Sequence, residues 1–171
     1  MNGIELIHHY FEVDNPWGPW KFVKKYGREM KWQPVSSLKL GRMKECYHNA
    51  YHLAAKEGYA YCEGQAIGYA NFPQHHAWCL DPKSGYVIDP TWPQSYEGEV
   101  PYYYGVALSV QFVKKMRDRE QYCMLDHGNG RCPLNEHPIA EWKYNGPLAV
   151  AHPARSTFDA FRRFSCPGSC P

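Results

Sequence analysis

His75-His76-Ala77-Trp78-Cys79-Leu80-Asp81-Pro82-Lys83-Ser84-Gly85-Tyr86-Val87-Ile88-Asp89-Pro90-Thr91-Trp92 decides the fold, because two β-forming runs flank a dense cluster of turn formers. Gln74 to Leu80 reads as one strand, Asp81 to Gly85 as turn chemistry and Gly85 to Asp89 as a second strand, which predicts an antiparallel hairpin. With a loop from Pro82 to Gly85, and Gly85 in the left-handed conformation that glycine adopts cheaply, Asp81 faces Tyr86 and Trp78 faces Asp89. His76 then shares a face with Trp78 and lies diagonally beside Asp89. A loop of only Pro82 and Lys83 places His76 directly opposite Asp89. Either even loop joins imidazole and carboxylate, whereas a three-residue loop parts them to opposite faces.

Upstream stands Lys44-Glu45-Cys46-Tyr47-His48-Asn49-Ala50. From Glu45 to Glu57 the positions Cys46, Asn49/Ala50 and Leu53/Ala54 follow the stripe of an amphipathic helix, closed by Gly58. Cys46 falls in the first turn, where unpaired backbone N–H groups and the positive dipole end favour a thiolate and can hold an oxyanion. A sulfur nucleophile needs an imidazole beside it and an acceptor that orients that imidazole, roles open to Cys46, His76 and Asp89. Each has an ordinary reading too. A cysteine on an apolar helix face is commonly a small core residue, and an Asp before Pro-Thr a turn former. Their joint occurrence singles them out. Glu45 places negative charge next to the sulfur, opposing its ionisation unless the side chain turns to solvent.

Cys46-x-x-x-Ala50, Cys62-Glu63-Gly64-Gln65-Ala66, His76-Ala77-Trp78 and Gly85-x-x-x-Asp89-Pro90-Thr91-Trp92 together resemble the core of the transglutaminase-like superfamily of cysteine enzymes. The resemblance covers the span from Cys46 to Trp92. It implies a papain-like α+β fold with the nucleophile helix packed on a small antiparallel sheet. It also implies Cys46 as nucleophile, His76 as general base and acid, and Asp89 as orienter. The reaction so implied is hydrolysis or transfer at an amide or acyl bond through a thioester, without a cofactor. Members range from acyl transferases to proteases and glycopeptide amidases, so the substrate, whether protein, peptide or small amide, stays open. The chain departs from the pattern in marking out no second oxyanion donor by spacing; Trp32 and Gln33 are candidates by position. Trp78 and Trp92 flank the catalytic strands as candidate substrate contacts, with core packing as the plainer role.

The remaining chain supports a single domain of 171 residues, long enough to bury a core. Its 19 Lys+Arg against 17 Asp+Glu, with no dense basic block, give no field for nucleic acid or a membrane surface. The first residues lack a basic and then long apolar signal segment, and no run of about 18 apolar residues occurs. A soluble, cytoplasmic chain is therefore expected, in which seven cysteines suggest reduced thiols or a metal in place of disulfides. Asn15 to Trp20 reads as a loop leading into a helix from Trp20 to Tyr26, and Tyr59 to Ala70 as the strand that pairs with the His76 strand, making a meander. Pro101 to Leu108 supplies a further strand, and Ser109 caps a helix from about Val110 to Gln121. The core is expected over about 16–121, with 122–171 an irregular extension marked by Asp126-His127-Gly128-Asn129-Gly130.

Two other classes compete. Cys123, Cys132, Cys166 and Cys170 suggest a zinc-stabilised interaction module, although only Cys166-x-x-x-Cys170 has tight ligand spacing. The same fold without turnover would make a binding or inhibitory protein. No metal ligands are assigned among His75, His76, Cys46, Cys62 and Cys79, because alternation sends His75 and Cys79 to the face opposite His76.

Overall fold

A computed structural model of the chain describes residues 2–13, 20–35, 37–68, 70–93, 100–117, 122–125 and 132–149. Among the described residues eleven elements follow one another: α1 (Gly3–Val13), α2 (Trp20–Tyr26), β1 (Arg28–Met30), α3 (Cys46–Glu57), β2 (Ala60–Ile67), β3 (Gln74–Leu80), β4 (Val87–Ile88), β5 (Tyr102–Leu108), α4 (Val110–Met116), α5 (Pro133–Glu136) and α6 (Ile139–Trp142). The class is α+β, with one antiparallel sheet in the order β1-β5-β2-β3-β4.

The hairpin register is the one its turn chemistry dictates. Cys79 pairs with Ile88 and Leu80 with Val87, and the Asp81 N–H donates to the Tyr86 carbonyl at 3.0 Å. The loop is thus Pro82 to Gly85, Gly85 has φ 74°, and the Asp81 carboxylate fastens the turn by accepting from Lys83 N and Ser84 Oγ. Because an L-residue pays about 1–2 kcal/mol for that conformation, Gly85→Ala should lower stability by about that amount in urea unfolding. A larger response would be needed only if the register itself shifted, and that would appear as a lost His76–Asp89 contact.

Both faces of the sheet are covered. On one lie Tyr61, Ala77, Cys79, Ile88, Val106 and Leu108, packed against Ala50, Tyr51 and Ala54 of α3 and against Ile7 and Phe11 of α1. On the other lie Cys62, Trp78, Leu80, Val87 and Tyr103, with Trp32, Trp92, Tyr144 and Leu148 laid over them. The Cys79 thiol, donating to the Ala50 carbonyl at 3.2 Å, fastens α3 to β3. Ile7, Phe11, Met124, Leu134 and Trp142 all belong to the main core, which therefore reaches past both ends of the expected 16–121 span. The reason is that α1 and the segments after residue 121 carry apolar side chains without which the sheet and α3 would be left uncovered.

Gly58 closes α3 with φ 74°, and the Ser109 side chain caps α4 by accepting from Phe112 N. The helix expected from about Val110 to Gln121 ends earlier, at Met116, where Arg117 leaves helical geometry with ψ 126°. Residues 15–19 and 126–130, on which a loop and irregular structure were expected, lie outside the described residues, as do 118–121. Among the described residues no helix is long and apolar enough to cross a membrane.

Candidate active site

Asp89 sits where the chain leaves β4, fully buried, with His76 diagonally across on β3. The His76 Nε2–H donates to Asp89 Oδ2 at 2.7 Å. The Tyr103 hydroxyl of β5 donates to the same oxygen at 2.8 Å, and Oδ1 accepts from the backbone N–H groups of Thr91 at 2.8 Å and Trp92 at 3.1 Å. Asp89-Pro90-Thr91 is thus a side-chain-closed turn that aims one carboxylate oxygen at the imidazole.

With Nε2 held by Asp89, the Cys46 thiol lies near enough to the imidazole to act on its protonation. Alternation puts His76 on the Trp78 face, while α3 packs on the opposite one. β4 pairs β3 only at Cys79 and Leu80, which leaves the β3 edge at His76 without β4 alongside it. Burial disfavours charge on His76, but the Asp89 charge and hydrogen bond, with the nearby thiol, outweigh it and raise its pKa to about 9. The ring is 3% exposed and stacks on Trp92 with centroids 4.0 Å apart and planes at 16°. That aromatic face suits an imidazolium.

Cys46 is half-buried and opens α3. Its N-cap Glu45 makes no side-chain cap hydrogen bond; the carboxylate, 41% exposed, lies 3.7 Å from Arg42. Glu45 is therefore turned to solvent, and the first-turn N–H groups beside the sulfur are left uncapped by it. Lys44 holds φ 67°, a conformation costing about 1–2 kcal/mol for a non-glycine residue, in the turn that delivers the thiol. Asn49, one turn on, donates to the Arg42 carbonyl at 2.8 Å and Thr91 Oγ1 at 3.1 Å. It ties the cysteine turn to the aspartate turn. Cys62 and Cys79 differ from Cys46 in kind: both are sealed in the core, where burial pushes their thiols up.

The tryptophans divide. Trp92 is half-buried against the imidazole, but Trp78 is 0% exposed, its Nε1–H donating to Met30 Sδ at 3.2 Å. Trp78 is therefore a packing residue under the site and not a substrate contact; both faces of the sheet are covered, so sharing a face with His76 does not expose it. Trp32 bridges Val87 in parallel, which sends the chain along β4 in the direction of Asp89. Gln33 follows it, exposed.

Tyr103, Asn49 and Glu63 carry roles that the sequence did not suggest. Glu63 lies fully buried on β2 and accepts from Met124 N at 2.7 and 2.9 Å, Leu125 N at 2.9 Å, Tyr61 Oη at 2.7 Å and Cys123 Sγ at 3.6 Å. Its signal was an acid in an otherwise uncharged strand run. Cys123 in turn lies near Tyr47, the neighbour of Cys46. Cys132 donates to the Met124 carbonyl at 3.7 Å, and Cys166 and Cys170 lie outside the described residues. Among the described residues no group of three or more His, Cys, Asp or Glu is placed to hold a metal.

Beside the site a groove of about 610 Å³ runs between residues 35–41 and the outer side of α3; its walls include Gly41 and Asn49, but neither Cys46 nor His76. Comparison of the chain with protein-family models, with curated proteins and with solved structures finds no match, so the likeness to transglutaminase-like enzymes rests on the residues themselves.

Proposed function

We propose that the chain is a cysteine-dependent hydrolase or acyltransferase of the papain-like and transglutaminase-like kind, acting on an amide or acyl bond. The observation that carries this reading is a buried imidazole held by a carboxylate at Nε2, with the half-buried Cys46 thiol near enough to act on the same ring. In the first step the Cys46 thiolate attacks the carbonyl carbon, and the oxygen that gains the electron pair is met by first-turn N–H groups of α3. His76 gives its proton to the departing amine as the tetrahedral species collapses to a thioester. Water, or an acceptor amine, then attacks the thioester while His76 takes up a proton, and the thiolate leaves. Asp89 holds the ring and favours its charged form throughout.

The deciding experiment is alkylation by iodoacetamide as a function of pH, mapped residue by residue by mass spectrometry. Cys46 is expected to react well below the pH at which Cys123 does, and to lose that low-pH reactivity in His76→Ala by on the order of tenfold or more. Identical Cys46 profiles in the two proteins would remove the enzymatic reading and leave a binding protein on the same fold. Acyl thioesters and p-nitrophenyl esters, screened with wild type and Cys46→Ala in parallel, then separate hydrolysis from transfer.

A further inference from the structure

We propose that the groove along α3 receives the acyl part of the substrate, and that this part is an extended apolar chain ending in a carboxylate. The inference rests on the reading of Cys46 as nucleophile and names the substrate class of that site. The groove follows the helix that carries the sulfur. Asn49 lines its near end and Lys56 its far end, a separation of about 10 Å at a rise of about 1.5 Å per residue. The near end is fixed to the catalytic turn, since Gly41 N donates to the Pro90 carbonyl at 2.7 Å and Asn49 reaches Thr91 Oγ1. A chain attached through its carbonyl to Cys46 would be led into the groove over that junction.

The lining states what the chain must be. Leu38, Leu53 and Ile88 give apolar walls, and Leu40 beside them is 39% exposed. Around the rim stand Lys39, Lys56, His48 and His52. Glu57, the one carboxylate in the lining, is held by Lys56 at 2.9 Å, while Lys39 has no ion-pair partner among the described residues. Burial, with His48 and Arg117, lowers the His52 pKa and keeps that ring neutral, so Lys39 is the uncommitted charge of the rim. An apolar trough with that one cation and no free acid favours an apolar body with an anionic end.

Fluorescence titration of the full chain with dansyl-undecanoate tests this. Wild type and Cys46→Ala should bind alike; Leu53→Glu and Lys39→Glu, confirmed folded by circular dichroism, should bind on the order of tenfold more weakly. The methyl ester of the probe should bind more weakly than the acid. Saturating probe should slow alkylation of Cys46 and leave that of Cys123 unchanged. The proposal is overturned by a folded wild type with no saturable binding, by variants that bind as wild type does, or by occupancy that leaves Cys46 reactivity untouched. His76→Ala, confirmed folded by circular dichroism and altering no side chain of the groove lining, reports on the nucleophile separately, so loss of one claim is not mistaken for loss of the other.

Discussion

Asp89→Ala should lower stability by about 3–5 kcal/mol, the cost of breaking a buried, hydrogen-bonded charge pair by removing one partner. The substitution strips acceptors from Thr91 N, Trp92 N, Tyr103 Oη and His76 Nε2 at once, all in a region with no exposure at Asp89 itself. Part of the loss is recovered because His76 can shed its proton when the carboxylate is gone; burial then favours the neutral ring. Asp89→Asn separates packing from charge. Asparagine can keep its carbonyl oxygen towards Thr91 and Trp92, so the turn survives at a cost of about 1–2 kcal/mol. Its amide, however, presents N–H to Nε2 and forces the proton onto Nδ1.

That tautomer cannot accept the thiol proton, so Asp89→Asn should lose reactivity at Cys46 out of proportion to its stability. A turnover loss on the order of 10⁴ accompanies the wrong tautomer in the serine triad, where the carboxylate holds the imidazole in the same way. Urea unfolding and mapped alkylation on the same two variants check both halves. An asparagine variant with unaltered Cys46 chemistry would show that the carboxylate only closes the turn between β4 and residue 92.

The parts of this arrangement that were legible in the sequence are those set by neighbouring residues. Asp81 to Gly85 fixed the loop length, the loop length fixed the register, and the register put His76 beside Asp89. Cys46 was placed by a local stripe and by Gly58, and α4 by Ser109. What escaped depends on contacts between distant segments. β5 enters between β1 and β2, so the meander read from consecutive strands is only β2-β3-β4, and Tyr103 comes to Asp89 by a pairing without a local signature. Trp78 shows a related limit: alternation assigns its face and favours packing as the plainer role, but Tyr144 and Leu148, far along the chain, decide that the face is dry. Glu63 was passed over as one residue of a strand because its donors come from Met124 and Leu125.

Glu63→Ala should cost about 3–5 kcal/mol, since it leaves two buried amides at about 1–3 kcal/mol each and a cavity besides. Glu63→Gln should cost less but still destabilise, because one end of the amide turns N–H against the N–H groups of Met124 or Leu125. The carboxyl also shapes the pH dependence. Burial pushes its pKa up to about 7, despite the opposing donors from Met124, Tyr61 and Leu125. The hydrogen-bond arithmetic agrees: the single Tyr61 hydroxyl proton has two acceptors in reach, Glu63 Oε1 at 2.7 Å and the Tyr122 carbonyl at 3.0 Å. A protonated Glu63 donates to Tyr61 Oη and frees that proton for Tyr122, satisfying the chain. The folded state therefore binds more protons than the unfolded one from pH 4.5 to about 7, and stability falls as pH rises through that window. His76, raised from 6.5 to about 9, has the same sign: its contribution is complete below 6.5 and is lost as pH rises through 9. Wild-type urea midpoints should accordingly decline across both windows, Glu63→Gln flattening the lower limb and Asp89→Asn the upper. A wild-type midpoint that holds level or climbs through the lower window would mean that Glu63 stays ionised, with Tyr61 donating to it and the Tyr122 carbonyl satisfied in some other way.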